Sequence, residues 1–204
     1  MRLTHFLTMA ILAVGLVACG NGSGPEVADA GDSKAAGMSA AGAAGGSGAA
    51  SDADNTLVLE LKTGKVSIRL RPDLAPQHVE RVKTLAREGF YDGIVFHRVI
   101  DGFMAQSGDP TGTGMGGSKY PNLPAEFTPT AFERGTVGAA RSADPNSANS
   151  QFFICFKHSP FLNGQYTVWG QVVDGMQHVD QIARGEPPAN PDKIIKAYLA
   201  SAPR

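Results

Sequence analysis

Cysteine, charge and long apolar runs are all scarce in this chain. Of its 204 residues only Cys19 and Cys155 are cysteines, and Cys19 lies in a segment with its own explanation. Neither a disulfide framework nor a zinc cluster can be assembled from them. Charged residues make up 18% and the net charge is -1. A chain with so little excess of either sign is not built to grip nucleic acid or anionic lipid by charge. His78, His97, His158 and His178 show no ligand spacing, and His5 belongs to the extreme N-terminus. No metal and no cofactor is implied, and redox chemistry is a poor fit.

Aromatic residues are missing from one part of the chain and concentrated in the other. Of the 15 Phe, Tyr and Trp residues only Phe6 precedes residue 55. The globular domain is therefore placed at residues 55–204, long enough to bury a core without staples. Arg2, then the apolar run from Phe6 to Val17, closing on Leu16-Val17-Ala18 before Cys19, read as an export signal over residues 1–18. That run is about 13 residues, too short for the ~20 of a membrane-spanning helix. Residues 19–54 form a tether: from Gly20 to Asp54, 25 of 35 residues are Ala, Gly or Ser. Such a stretch cannot build a core and behaves as a flexible coil with a reach of ~30 to 35 Å.

Strand-like runs cover 56–61 and 65–70 around Thr63-Gly64, which suits a hairpin turn. Further runs cover 93–100, 103–106, 135–140, 151–156, 167–173 and 193–199. After Pro76, the positions Val79, Val82, Leu85 and Ala86 recur at helical spacing and Gly89 supplies a stop. Met176, Val179, Ile182 and Ala183 predict a second helix ending at Gly185. Many short strands with two helices favour a mainly β barrel or sandwich over alternating βα units. The stretch Gly112-Thr113-Gly114-Met115-Gly116-Gly117 satisfies G-x-G-x-x-G, but the residues after it, with Pro121 and Pro124, cannot readily start the helix that dinucleotide binding requires. It is read as a loop. His97 is expected to be buried and hydrogen-bonded, and Cys155 to be a core thiol.

Leu16-Val17-Ala18-Cys19 resembles the lipobox of bacterial lipoproteins, in which the cysteine is lipidated and the signal is cut just before it. The resemblance implies acyl chains on Cys19, a membrane anchor, and a domain exposed outside the cytoplasm on the periplasmic side of a bacterial envelope membrane. Two or three chains hold far more firmly than one.

Three ordered blocks carry a second resemblance: Phe90 to Gly114, containing Phe96-His97-Arg98-Val99-Ile100; Asn149-Ser150-Gln151-Phe152-Phe153-Ile154; and Phe161 to Gly170, containing Phe161-Leu162-Asn163-Gly164-Gln165-Tyr166. Together they resemble the cyclophilins, the family of peptidyl-prolyl cis-trans isomerases. The resemblance implies a closed eight-stranded antiparallel β-barrel capped by two α-helices. It implies catalytic roles for Arg98 and Gln106, and a proline cup of Phe103, Met104, Phe153 and Leu162. Gln151, Ala140, Arg141, Phe161 and Tyr166 fall on substrate-binding positions, with the backbone of Arg141 and the amides of Gln106 and Gln151 expected to hold the peptide. Phe161 and Tyr166 stand where many eukaryotic members have tryptophan and histidine. Ala105 and Ser107 also depart from the family's usual residues, a difference that bears on the pocket's shape and not on the assignment. The implied partners are proline-containing segments of exported proteins, met by a monomer. A module that binds proline segments or acts as a chaperone without significant turnover is the alternative. Cyclosporin A, an apolar cyclic peptide that inhibits the family, would occupy the same cup.

Overall fold

Alternation dictates the first elements. In a computed structural model that describes residues 52–202, β1 (Thr56–Leu61) and β2 (Gly64–Leu70) pair antiparallel, with Leu61 opposite Gly64. The turn is therefore Lys62-Thr63, one residue earlier than the position of Thr63-Gly64 suggests. Val66, Ile68 and Leu70 point to one face and are buried, as the period of two requires. Helix α1 (Pro76–Arg87) begins with proline at its first turn, where a missing N–H costs nothing. Its own sequence provides no side-chain cap, and Glu126 takes that role from a distant loop by accepting from the N–H groups of Gln77 and His78. Val79, Val82, Leu85 and Ala86 form its buried stripe, and Gly89 follows with φ of 67°.

The remaining elements are β3 (Arg98–Ile100), β4 (Met104–Ser107), β5 (Thr136–Ala139), β6 (Phe152–Cys155), β7 (Val168–Asp174), α2 (Met176–Val179) and β8 (Lys196–Leu199). They build one eight-stranded sheet in the order β3-β4-β6-β5-β7-β2-β1-β8, with every pair antiparallel. The expected closed barrel is corrected to an open, curled sheet, because its edges β3 and β8 form no ladder with each other. Isolated bridges span the seam, Val95 to Lys193 and Val99 to Gly185. The N–H groups of Gly93 and Phe96 donate to Ile194 and Asp192 at 2.7 and 2.8 Å. These single bonds explain why the expected strand over 93–100 shortens to β3. The second helix is also shorter than its spacing suggests. After one turn, α2 gives way to turns that still bury Ile182.

The sheet has two apolar faces, each with its own core. Val99, Ala105, Phe152, Ile154 and Trp169 belong to the larger inner core, with α1 and the β1–β2 hairpin. Met104, Phe153 and Cys155, one residue out of step, belong to a smaller outer core with Phe132, Leu162 and Val168. Neighbouring residues on β4 and β6 thus alternate between the two.

Candidate active site

The outer face of β3, β4 and β6 positions the polar and apolar parts of the site. Register places Arg98 opposite Gln106, and Gln106 opposite Phe153. Met104 lies two residues before Gln106 on the same face. A glycine makes the packing beneath them possible. Gly138 on β5 lies opposite Phe153, and a Cβ there would come within 2.6 Å of the Phe153 ring and 2.7 Å of Phe132. Without a side chain at 138 the two rings stack, with centroids 5.7 Å apart.

A cavity of about 380 Å³ opens over these residues. Arg98, Phe103, Met104, Gln106, Ala140, Arg141, Phe153, Phe161, Leu162 and Tyr166 all line it, together with Gln165. Ten of the sequence-derived site residues therefore converge on one cup. Met104, Phe153 and Leu162 are buried at its floor, whereas Phe161 is 61% exposed at its lip. The Phe161 ring lies 5.3 Å from that of Phe103, and Tyr166 meets Phe153 edge-on at 5.7 Å. Phe161 and Leu162 are presented by a 3₁₀ turn, Pro160–Leu162.

Gln151 stands outside the cup. It lines an adjoining cavity of about 500 Å³ with Gly114 to Ser118, Asn122, Ser147 and Asn149. Gln106, Ala140 and Arg141 belong to both cavities. Gln151 Nε2 donates to the carbonyls of Gly114 and Gly116 at 3.0 and 2.8 Å, and its Oε1 accepts from Gln106 Nε2 at 2.9 Å. Both hydrogens of its amide are committed to the loop. Gln106 is the amide that faces the cup.

Arg98 holds its guanidinium at the mouth. Its Nε donates to Glu186 Oε2 at 2.8 Å, and Nη1 reaches toward Gln106 Oε1 at 3.5 Å. Glu186 and Gln165 are site residues that the sequence reading did not single out. Glu186 lies 88 positions beyond Arg98, and no local pattern connects them.

The G-x-G-x-x-G stretch is a loop, with no helix following it. Its organiser is buried Asp109, which accepts from the N–H groups of Thr111, Thr113 and Gly114 at 2.7, 3.0 and 2.6 Å. Burial alone would raise the Asp109 pKa, but hydrogen bonds from Thr111 and Gly114 outweigh it and hold the carboxyl well below the usual range. Gly116 is required by close approach: a Cβ there would lie 2.1 Å from Asp109 Oδ1.

Three expectations about neighbouring residues are resolved by burial. Ala105 and Ser107 face the inner core, and Ser107 Oγ donates to the Val95 carbonyl at 3.0 Å, so neither shapes the cup. Cys155 is a buried free thiol, pushed up to about 12 by burial, which leaves it no nucleophilic role. His97 is buried as expected, but among the described residues neither ring nitrogen has a partner at hydrogen-bond geometry. Burial pushes its pKa down, against the pull of Asp109. Cys19 and the segments 1–18 and 19–51 lie outside the described residues.

The profile of the family described as cyclophilin type peptidyl-prolyl cis-trans isomerase/CLD matches residues 56–199. A probable peptidyl-prolyl cis-trans isomerase of Brucella suis biovar 1 is 57% identical over 166 residues, covering 74% of this chain and 85% of that one. Peptidyl-prolyl cis-trans isomerase B of Bacillus subtilis is 42% identical over 123 residues, covering 60% and 85%. Among solved structures, a cyclophilin from Hirschia baltica superimposes with a TM-score of 0.69 at 28% identity, covering 75% of this chain and 76% of that one. A cyclophilin type isomerase from Cryptosporidium parvum, crystallised in the presence of the dipeptide Ala-Pro, gives 0.66 at 28% identity, covering 71% and 98%. With its outer-face cup, its paired Arg98 and Gln106, and this similarity across the whole sheet, the chain belongs to the cyclophilin-type peptidyl-prolyl cis-trans isomerases.

Proposed function

We propose that this isomerase is a lipid-anchored protein that rotates X-Pro bonds in exported polypeptides and so assists their folding outside the cytoplasm. The observation that carries the catalytic part is the position of Arg98, whose charged group stands beside Gln106 at the mouth of an apolar cup.

Rotation about a peptide bond must break amide resonance, a barrier of ~18 to 20 kcal/mol, and prolyl bonds are the ones with substantial populations of both isomers. No bond is made or broken, so the chemistry calls for differential binding of the twisted state. As the bond twists, the proline nitrogen recovers its lone pair and becomes a better acceptor. A guanidinium aimed at that nitrogen favours the twisted form over either planar form. Phe103, Met104, Phe153 and Leu162 hold the ring, and Gln106 fixes the carbonyl of the preceding residue. An acceleration of ~10⁵ would ask the site for about 7 kcal/mol. Uncatalysed isomerisation takes tens of seconds or longer, slow enough to delay a folding chain.

The address rests on the sequence Leu16-Val17-Ala18-Cys19 and on the Ala, Gly and Ser composition that follows it. Acyl chains on Cys19 would place the anchor at one end of a tether and the isomerase domain, residues 55–204, at the other.

Two measurements test the proposal. The first compares prolyl isomerisation by the full-length chain and by Arg98→Ala. The variant should unfold at a similar temperature and lose most of its rate, and an undiminished rate in a folded variant would remove Arg98 from the mechanism. The second labels cells with a radioactive fatty acid. Cys19→Ala should carry no label, and equal label in both proteins would rule out Cys19 as the anchor.

A further inference from the structure

Arg141 stands on the wall shared by the two cavities, held in place by neutral groups. Its guanidinium lies 4.5 Å from the Tyr166 ring centroid and 5.9 Å from that of Phe127. Nη2 donates to the Gln165 carbonyl at 2.8 Å and Nη1 to the Ser142 carbonyl at 2.9 Å. Stacking on a ring and bonding to main-chain carbonyls fix the plane of an arginine but leave its charge uncompensated.

The charges lining the cavities are one-sided. Among the described residues Arg98 and Arg141 are the cations that line them, and no aspartate or glutamate lines either one. Arg98 is paired with Glu186, whereas Arg141 has no carboxylate within ion-pair distance among the described residues. A fixed, unpaired cation beside a binding cleft selects for negative charge in whatever passes it.

The proposed mechanism says what passes. With the proline in the cup and the preceding carbonyl at Gln106, the residues before the proline lie toward the wall that Gln106 shares with Arg141. We infer that Arg141 is a specificity-determining residue, giving the site a preference for prolyl segments with an acidic residue within the two positions before the proline. This rests on the isomerase mechanism proposed above.

The test measures kcat/KM of the full-length chain on peptides with Glu, Gln or Lys at the first or second position before proline, at about 20 mM and about 300 mM salt. At low salt a Glu peptide should exceed its Gln counterpart by about three- to fivefold, as suits a partly exposed ion pair. The Lys peptide should fall below Gln, and the spread should shrink at high salt. Arg141→Gln should bring the Glu-to-Gln ratio close to one, while Arg141→Lys, which keeps the charge but loses the planar fork, should retain a preference. If Arg141 is only a strut between the two loops, both variants lower the rate on all peptides alike and the ratio stays put, which overturns the inference. A wild-type ratio of one at both positions overturns it without any variant. Turnover of every peptide without discrimination leaves the isomerase mechanism standing, whereas no turnover of any peptide rejects both.

Discussion

Arg98 Nε donates to Glu186 Oε2 at 2.8 Å, which ties the guanidinium at the mouth of the cup to a carboxylate 88 residues further along the chain. The pair is open to solvent, 42% and 52% exposed, so its contribution to stability is small. Its contribution to orientation is larger. With Nε occupied, Nη1 is turned toward Gln106. Glu186→Ala should leave the thermal midpoint nearly unchanged and lower the isomerase rate by about two- to fivefold, an effect of misplacement rather than of lost binding. Glu186→Gln, which keeps an acceptor, should fall between. Equal rates in all three proteins would show that Arg98 orients itself without help.

The loop beside Gln151 depends on a clash that glycine avoids. Gly116→Ala would drive a Cβ to 2.1 Å from Asp109 Oδ1, and the carboxylate would have to leave some of its donors. Loss of hydrogen bonds to a buried charge costs about 1 to 3 kcal/mol. Chemical denaturation should show that loss, and KM for peptide should rise because Gln151 hangs from the same loop.

Acid should weaken the fold through histidine. Burial holds both His78 and His97 below the ordinary imidazole pKa, with Glu126 opposing at His78 and Asp109 at His97. A histidine with a depressed folded pKa favours the neutral form, so its stabilisation is complete above an unfolded value of about 6.5 and is lost as pH falls through the folded value. The melting temperature should decline between pH 7 and pH 5. His97→Leu should flatten that decline, and a slope identical to wild type would assign the whole effect to other groups.

Phe161 is a natural point for tuning inhibitor affinity. It is 61% exposed at the lip, and its ring already touches Phe103. Phe161→Trp adds an indole N–H and contact area, and should tighten cyclosporin A binding by about tenfold while changing turnover modestly. Calorimetry on both proteins measures it, and unchanged affinity would place the inhibitor away from residue 161.

Sequence reading succeeds here where a residue's neighbours along the chain determine its environment. Val66, Ile68 and Leu70 alternate because one face of β2 is buried, and Val79, Val82, Leu85 and Ala86 mark the inward stripe of α1. It succeeds less well where burial and backbone bonding part company. Ile182 is buried as the helical spacing implies, yet the chain there is turn, not helix. Ala105 and Ser107 lie inside a site motif, but only the pleat reveals that they point away from the cup. Glu126 capping α1 and Glu186 pairing Arg98 are contacts across 48 and 88 residues, set by how the sheet curls. Composition and spacing hold no record of that curl.

The two-faced sheet makes activity a reporter of folding fidelity. Arg98, Met104, Gln106 and Phe153 reach the cup only in the observed register, with Ala105 and Ile154 turned inward. A slip of one residue in β4 would send Gln106 into the apolar interior and bring Ala105 and Ser107 out to the cleft. Such a chain could keep its strand content, and so its far-ultraviolet signal, while losing turnover. For this protein, the ratio of isomerase rate to strand signal would count the correctly aligned molecules in a refolded preparation, a quantity that neither measurement supplies alone.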